Sequence, residues 1–281
     1  MDDQAFRRLL IHMGLDWAGY RKVRKGVKKR LSRHMQELGC RRMPEYLAAL
    51  DTDAGIRHEC ERRLTVAVSR FFRDRRLWDR IGQLLPLDAA DVHRPLQRIW
   101  CAGCAGGEEV YSIKILEAQS RPAAGDGAAL SILATDINPE NLKRARAGAY
   151  PPSSLKELPN LLVDTCFYSQ RGGRRFVLRP FLTAGIEWQR HDLRTPPPQR
   201  DFDAVFLRNS LLTYYEEETQ KRSLSGILAS LLPGGFLVVG SHERLPDGFG
   251  FMCRDPVHPL IWRKTADERL VGGDESWRRE N

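Results

Sequence analysis

The chain has 281 residues, with 45 Lys+Arg against 36 Asp+Glu, a formal net charge of +9, and 42% apolar residues. That apolar share supports a sizeable core and excludes a disordered chain, while the length predicts two domains or one large domain with an appendage. No run approaches the roughly 18 apolar residues that a membrane span needs. The opening MDDQAFRRLL lacks the apolar core of a secretory signal, so a cytoplasmic protein without membrane insertion is expected.

The charge is uneven. Residues 1–80 carry 20 basic and 11 acidic side chains, which is +9, whereas residues 81–281 carry 25 of each. An excess this local predicts an acidic partner for the first third of the chain. The cysteines at 40, 60, 101, 104, 166 and 253 form no disulfide framework, as expected in a reducing compartment. Cys101-x-x-Cys104 has metal or redox spacing, but no second pair or histidine cluster follows it, so no metal is expected.

In chain order, residues 1–80 read as a basic helical domain. Val23, Val27 and Leu31 recur every four residues with Lys and Arg between them, predicting one amphipathic helix over 20–37 with a cationic outer face. Gly39 is its expected stop, and Pro44 opens a shorter helix through Tyr46 and Leu50. An α/β domain is expected over 81–266. RIWCA (98–102) reads as its first strand, followed by a glycine-rich turn and a helix over 108–119. After a Pro/Gly/Ala linker at 121–128, LSILATD (130–136) is the second strand. Asn138 then caps a helix that Pro139 opens and Gly148 ends. GIEWQ (185–189), DAVFL (203–207) and FLVVG (236–240) are further strands, with a helix over 216–231 between the last two. Strands alternating with helices predict a parallel sheet covered on both faces. A hairpin around Gly172-Gly173 predicts a small antiparallel insert over about 165–183. The tail from 267 is polar.

In an open parallel sheet the ligand sits beyond the carboxyl ends of the strands, so the residues just after each strand carry the chemistry. Gly103, Gly106 and Gly107 allow close backbone approach after the first strand. Their spacing is not G-x-G-x-x-G, and Glu108 and Glu109 would repel a pyrophosphate at that helix start while suiting an ammonium or sulfonium group. Asp136 ends the second strand, where an acid accepts hydrogen bonds from ribose hydroxyls. Asp192 and Leu193 follow the next strand, and Arg208 and Asn209 the one after it. Each alone could equally be a surface cap or a dipole-stabilising residue. Together they read as a site for a nucleoside cofactor without phosphates, a description S-adenosylmethionine fits.

Several stretches are similar to one family. SRFFRD (69–74), IWCAGCAGGEEVYSI (99–113), ILATDINPENLKRARAGAY (132–150), FDAVFLRNSLLTYY (202–215) and LLPGGFLVVGSHERL (231–245) resemble the CheR-like chemotaxis-receptor glutamate methyltransferases, as does YRKVRKGVKKRLSRHMQELG (20–39). The resemblance runs from about residue 5 to 264. It implies a small all-α domain joined to a Rossmann-like S-adenosylmethionine-dependent methyltransferase sheet with a β insert. It also implies methyl transfer to glutamate carboxylates in a receptor's helical signalling region. Carried over by motif, Ser69, Arg73, Glu109, Asp136, Asp192, Leu193, Arg208 and Asn209 would hold the cofactor, which Gly103 lets the backbone approach. Arg73 is expected to orient the cofactor or the acceptor carboxylate, and Tyr214 or Tyr215 to shape the acceptor side. The chain departs from the family pattern at Ala67, in place of an Asn, at Thr213, in place of a Tyr, and in the order Ser241-His242-Glu243.

The basic helix would then dock an acidic protein acceptor; a plain solvated face and nucleic acid are the competing readings. No interleaved aromatics for base stacking accompany the charges, which disfavours nucleic acid. Two further readings stay open: a cofactor-binding adaptor without turnover, motivated by Ala67 and Thr213, and a methyltransferase acting on a small molecule or RNA. An ionised carboxylate acceptor needs no general base, so none is assigned to His242.

Overall fold

The computed structural model describes residues 1–66, 69–85, 96–120 and 130–265. Ala67, the linker at 121–128 and the polar tail from 267 lie outside the described residues.

Five helices come first: α1 (Asp3–His12), α2 (Trp17–Tyr20), α3 (Arg24–Glu37), α4 (Met43–Thr52) and α5 (Ala54–Leu64). Asp2, Asp16 and Asp53 start three of them by accepting first-turn amides. Their apolar stripes close on one core that includes Phe6, Leu10, Tyr20, Val27, Leu31, Tyr46 and Cys60. The helix expected over 20–37 begins only at Arg24, because 21–23 form a turn after the short α2. Helix α6 (Arg75–Leu84) belongs elsewhere: Leu77, Trp78, Ile81 and Leu84 pack with the sheet rather than with the helices. The helical core therefore closes at Leu64.

The rest of the chain runs β1 (Arg98–Ala102), α7 (Glu108–Ser120), β2 (Ser131–Asp136), α8 (Pro139–Ala147), β3 (Ala149–Tyr150) and α9 (Asn160–Cys166). It continues through β4 (Phe167–Gln170), β5 (Arg175–Leu178), β6 (Ile186–Arg190), β7 (Phe202–Leu207), α10 (Leu211–Tyr214), α11 (Glu217–Ala229), β8 (Leu231–Val239), β9 (Met252–Arg254) and β10 (Ile261–Lys264). Seven strands form one sheet in the order β6-β2-β1-β7-β8-β10-β9. The first five are parallel, and β10 and β9 add an antiparallel edge that the sequence pattern did not announce. Both faces are covered, as the apolar strands require: Ile99 and Cys101 face one core, Trp100 and Ala102 the other.

Helix α8 is set locally. Asn138 accepts the Glu140 amide, and Gly148 ends the helix at φ 55°. The hairpin expected near Gly172 is β4–β5, turning through Arg171, Gly172 and Gly173 at positive φ. The insert is larger than expected, because β3 pairs with β5 to make a three-stranded sheet, order β3-β5-β4. In the main sheet the order reverses between β1 and β7, so the loops leaving those two strands diverge and open a crevice at their carboxyl ends.

Candidate cofactor and active site

The crevice is built from loop residues with little freedom. Gly103 leaves β1 at φ 88° and donates its amide to the Thr135 carbonyl at 2.9 Å. A Cβ there would stand 3.1 Å from the Ser210 Cβ, a crowded contact, and the φ of 88° itself favours glycine where the loops after β1 and β7 meet. Asp136, 6% exposed, accepts the amides of Ala105 at 2.9 Å and Asn138 at 2.8 Å and the Asn141 side chain at 3.1 Å. Burial pushes its carboxyl up, and those bonds offset part of the rise. A carboxylate has about four acceptor positions, so one is left over.

Behind this rim, Arg208 gathers the sheet and the segment before α6. Its guanidinium donates to Glu109 at 2.9 Å, to Asp74 at 2.6 Å and to the Arg73 carbonyl at 3.3 Å. Burial raises the Glu109 carboxyl, with Arg208 opposing. Glu108 turns away to Ser154 and faces no part of the crevice. Phe72 and Asp74, on either side of Arg73, hold φ of 51° and 67°, a strained turn for residues with side chains. The turn is pinned by the Phe72 amide on Ser112 at 3.1 Å and by the Trp78 indole on the Arg73 carbonyl at 2.8 Å. Among the described residues the half-buried Arg73 side chain has no hydrogen bond or ion pair, although it acts electrostatically on Glu109 and Tyr214.

The loop after β7 hangs on Glu243, which sequence reasoning left without a role. This carboxylate, 7% exposed, accepts the amides of Asn209 (2.8 Å), Ser210 (3.2 Å) and Gly240 (2.6 Å) and the Thr213 hydroxyl (2.6 Å). Asn209 is thereby held at φ 53°. The departure at Thr213 has a local purpose, since its hydroxyl is an anchor for this carboxylate. His242, beside it, is exposed and does not line the crevice.

The helical domain supplies the roof. Leu15 pairs with Tyr215 in an isolated antiparallel bridge, and the Asp16 amide donates to the Tyr214 carbonyl at 2.9 Å. Helix α2 lies so close to α10 that a Cβ on Gly19 would fall 2.0 Å from the Thr213 carbonyl oxygen. This contact fixes α2 on the α/β domain. On the far side Arg194 bridges Asp192 (2.6 Å) and Glu61 of α5 (2.8 Å), and Arg190 reaches His58 at 2.6 Å. Burial raises the Asp192 carboxyl, but the Arg194 bonds outweigh it and hold the group below its ordinary value.

Between roof and sheet lies a cleft lined by Gly103, Asp136, Asp192, Leu193, Asn209 and Tyr214 among others. These expected residues are brought together. Ser69, Arg73, Glu109 and Arg208 do not line the cleft, although Arg208 joins Glu109 to the Arg73 segment immediately behind it. Tyr20, Glu61, Asn141 and Arg194 also belong to the site and were not anticipated. Only Asn141, in the phrase NPEN just past Asp136, carried a local signal.

The residues suit a nucleoside without phosphates. Asp136 keeps an acceptor position for a ribose hydroxyl, Leu193 offers an apolar surface, and Arg194, the cation at the cleft, is already spent on two carboxylates. Cys101 and Cys104 are buried, with burial pushing both thiols well up. Among the described residues no cluster of three or more His, Cys, Asp or Glu is placed to hold a metal, and no helix is long and apolar enough to cross a membrane.

Residues 67–253 match the family model of the CheR methyltransferase, SAM binding domain. A chemotaxis protein methyltransferase of Listeria monocytogenes is 32% identical over 83% of this chain and 86% of its own length. A probable chemotaxis protein methyltransferase of Rhizobium etli is 33% identical over 78% of this chain and 84% of its own length. An uncharacterized 104.1 kDa protein of Rhodobacter capsulatus is 33% identical over 78% of this chain, which spans only 23% of that longer protein. With the strand-end cleft and this match, the chain belongs to the CheR methyltransferase family and is an S-adenosyl-L-methionine-dependent methyltransferase.

Proposed function

We propose that the chain methylates glutamate side chains in an acidic, helical region of a receptor-like signalling protein in the cytoplasm. One observation carries this reading: Arg73, half-buried and without a carboxylate of its own among the described residues, sits within electrostatic reach of Tyr214 beside the cleft. Such a guanidinium is a receptor for a carboxylate brought by a ligand. The bound S-adenosylmethionine supplies an electrophilic methyl group on a sulfonium. An ionised carboxylate is already a nucleophile, so the site's task is alignment and exclusion of water. In this reading Asp136 takes the ribose hydroxyls, Leu193 and Asp192 border the base, and Asn209 and Gly103 close around the nucleoside. Glu109, Arg208 and Ser69 serve the amino-acid end, while Arg73 and Tyr214 serve the acceptor side. Burial raises the Tyr214 phenol, keeping it a neutral donor.

The acidic acceptor is supported by α3. Lys28 and Arg24 are engaged by Asp3, and Arg30 by the carbonyls of Arg63 and Thr65. The side chains of Arg21, Lys22, Lys25, Lys29 and Arg33 are exposed and have no hydrogen-bond or ion-pair partner among the described residues. They form the docking face in this reading, with nucleic acid as the lesser alternative.

The test uses tritiated S-adenosylmethionine and a lysate. Wild-type protein should place base-labile methyl groups on protein, and Arg73→Ala should lower the rate about 100-fold. Normal transfer by Arg73→Ala would remove its role. Thr213, whose hydroxyl is committed to Glu243, favours the adaptor as second reading. Cofactor binding without any base-labile incorporation would select that one.

A further inference from the structure

We propose that Tyr20, at the end of α2 in the helical domain, is an acceptor-binding residue whose hydroxyl donates a hydrogen bond to the carboxylate being methylated. The inference rests on the glutamate-methylation reading above and names a group that the helical domain brings to that site.

Tyr20 is fixed. It is 3% exposed, its ring edge-on to Phe6 at 5.8 Å and tilted against Tyr214 at 4.9 Å. Gly19, just before it, touches the Thr213 carbonyl, so α2 cannot withdraw without opening the domain joint. Tyr20 lines the cleft together with Tyr214 and Tyr215. Among the described residues none of these three phenol hydroxyls has a hydrogen-bond partner. None of the three is sealed off, so each is free to donate into the cleft, and three such donors around one cleft suit a ligand rich in acceptor positions. A carboxylate has about four such positions. The nearby hydroxyl of Thr213 cannot contribute, because it is spent on Glu243.

Tyr20 differs from the other two in its origin. It belongs to the domain that carries the basic face, and α3 begins only four residues later, at Arg24. An acceptor docked on α3 would reach the cleft past Tyr20. Burial raises the Tyr20 phenol well above its ordinary value, so it remains a neutral donor and does not repel the incoming anion.

The chemistry predicts a kinetic signature. One carboxylate oxygen forms the new O–CH3 bond as the S–CH3 bond breaks, and the electron pair of that bond stays on sulfur. The carboxylate's negative charge and the sulfonium's positive charge are both lost, and no proton moves. A hydrogen bond to the second oxygen is therefore strongest before transfer and weakens as charge is cancelled. Most of it persists into the transition state, where the charge is only partly cancelled, so its removal should raise KM with little change in kcat.

The experiment compares the full chain with Tyr20→Phe, which keeps the ring and its packing. Tritiated S-adenosylmethionine is the donor. The acceptor probe is a synthetic alanine-rich helical peptide with a Glu-Glu pair, and the lysate assay is run in parallel. The expected result is a KM for the peptide about tenfold higher, with kcat within about twofold, the S-adenosylmethionine Kd unchanged and the same melting temperature. Wild-type methylation with an unaltered KM in Tyr20→Phe would overturn the inference alone. A shift in the S-adenosylmethionine Kd as large as that in KM would also overturn it, by assigning the hydroxyl to the cofactor. Absence of base-labile methyl from both acceptors with wild-type protein would overturn the glutamate reading itself, and this inference with it.

Discussion

Glu243→Gln probes the anchor that shapes the cofactor loop. In the wild type, Oε2 accepts the Asn209 and Gly240 amides and Oε1 accepts the Ser210 amide and the Thr213 hydroxyl. The glutamine can keep its oxygen toward Asn209 and Gly240 and turn its NH2 toward Thr213, whose hydroxyl can rotate to accept. The Ser210 amide then faces a donor and is left unsatisfied. Two bonds lose the assistance of a full charge, at about 0.5–1 kcal/mol each, and one part-buried N–H is orphaned, at about 1–2 kcal/mol. The sum is about 3 kcal/mol, which at roughly 2–4 °C per kcal/mol lowers the melting temperature by about 6–12 °C. Asn209 stands at φ 53° under these bonds, so its loop should relax once they weaken. Calorimetry should then show the S-adenosylmethionine Kd rising about tenfold or more at a temperature where the variant is folded. A melting temperature within about 2 °C of wild type, together with an unchanged Kd, would refute the anchoring role.

Two further outcomes follow from charges. Replacing Lys22, Lys25 and Lys29 together by Glu should raise the acceptor KM about tenfold at low salt, with the gap closing as salt rises and the S-adenosylmethionine Kd unmoved; equal losses in both would return the face to plain solvation. Lys28 is left out because it is bonded to Asp3 at 2.6 Å, and its reversal would loosen α1 from α3. Burial holds His34, His191 and His258 below their ordinary value, so the unfolded chain takes up protons first on acidification. Stability from these groups is complete above about pH 6.5 and is lost as pH falls below it, so the melting temperature should drop between about pH 7 and pH 5.5. Burial also raises the Asp136 and Glu109 carboxyls, which acts in the opposite sense. The deciding measurement is therefore NMR titration of the three rings: pKa values at or above that of an ordinary histidine would contradict their burial.

The parts of the molecule that were legible in the sequence are those set by near neighbours. The Asn138–Pro139 start and the Gly148 stop fix α8 within ten residues, and the apolar runs of β1, β2 and β7 announce a sheet buried on both faces. What escaped depends on distant contacts. Strands β9 and β10 are short and are tied down by Arg80, whose guanidinium meets Asp255 across 175 positions at 2.9 Å. Arg21, Lys22 and Arg24 are good helix formers, so nothing local marks the break before α3, which follows the docking of α2 at Gly19 on the distant Thr213. Within the site, the strand-end residues could be read because the sheet dictates where its loops go. Glu243 could not, because its task is to hold amides more than thirty positions away.

The joint at Gly19 has a consequence for dissection of the enzyme. The α/β half contains every strand-end side chain of the cleft, yet the opposite wall, with Leu15, Tyr20, Glu61 and Leu64, comes from the other half. Expressed by itself, the α/β half would bare Tyr214 and Tyr215 to water, leave Arg194 with one carboxylate instead of two, and leave the Tyr214 carbonyl without the Asp16 amide that donates to it. The smallest unit with a closed pocket is thus larger than the unit that carries the recognisable motifs. Chimeras that exchange the helical half would have to bring a glycine to position 19, or the two halves would not seat.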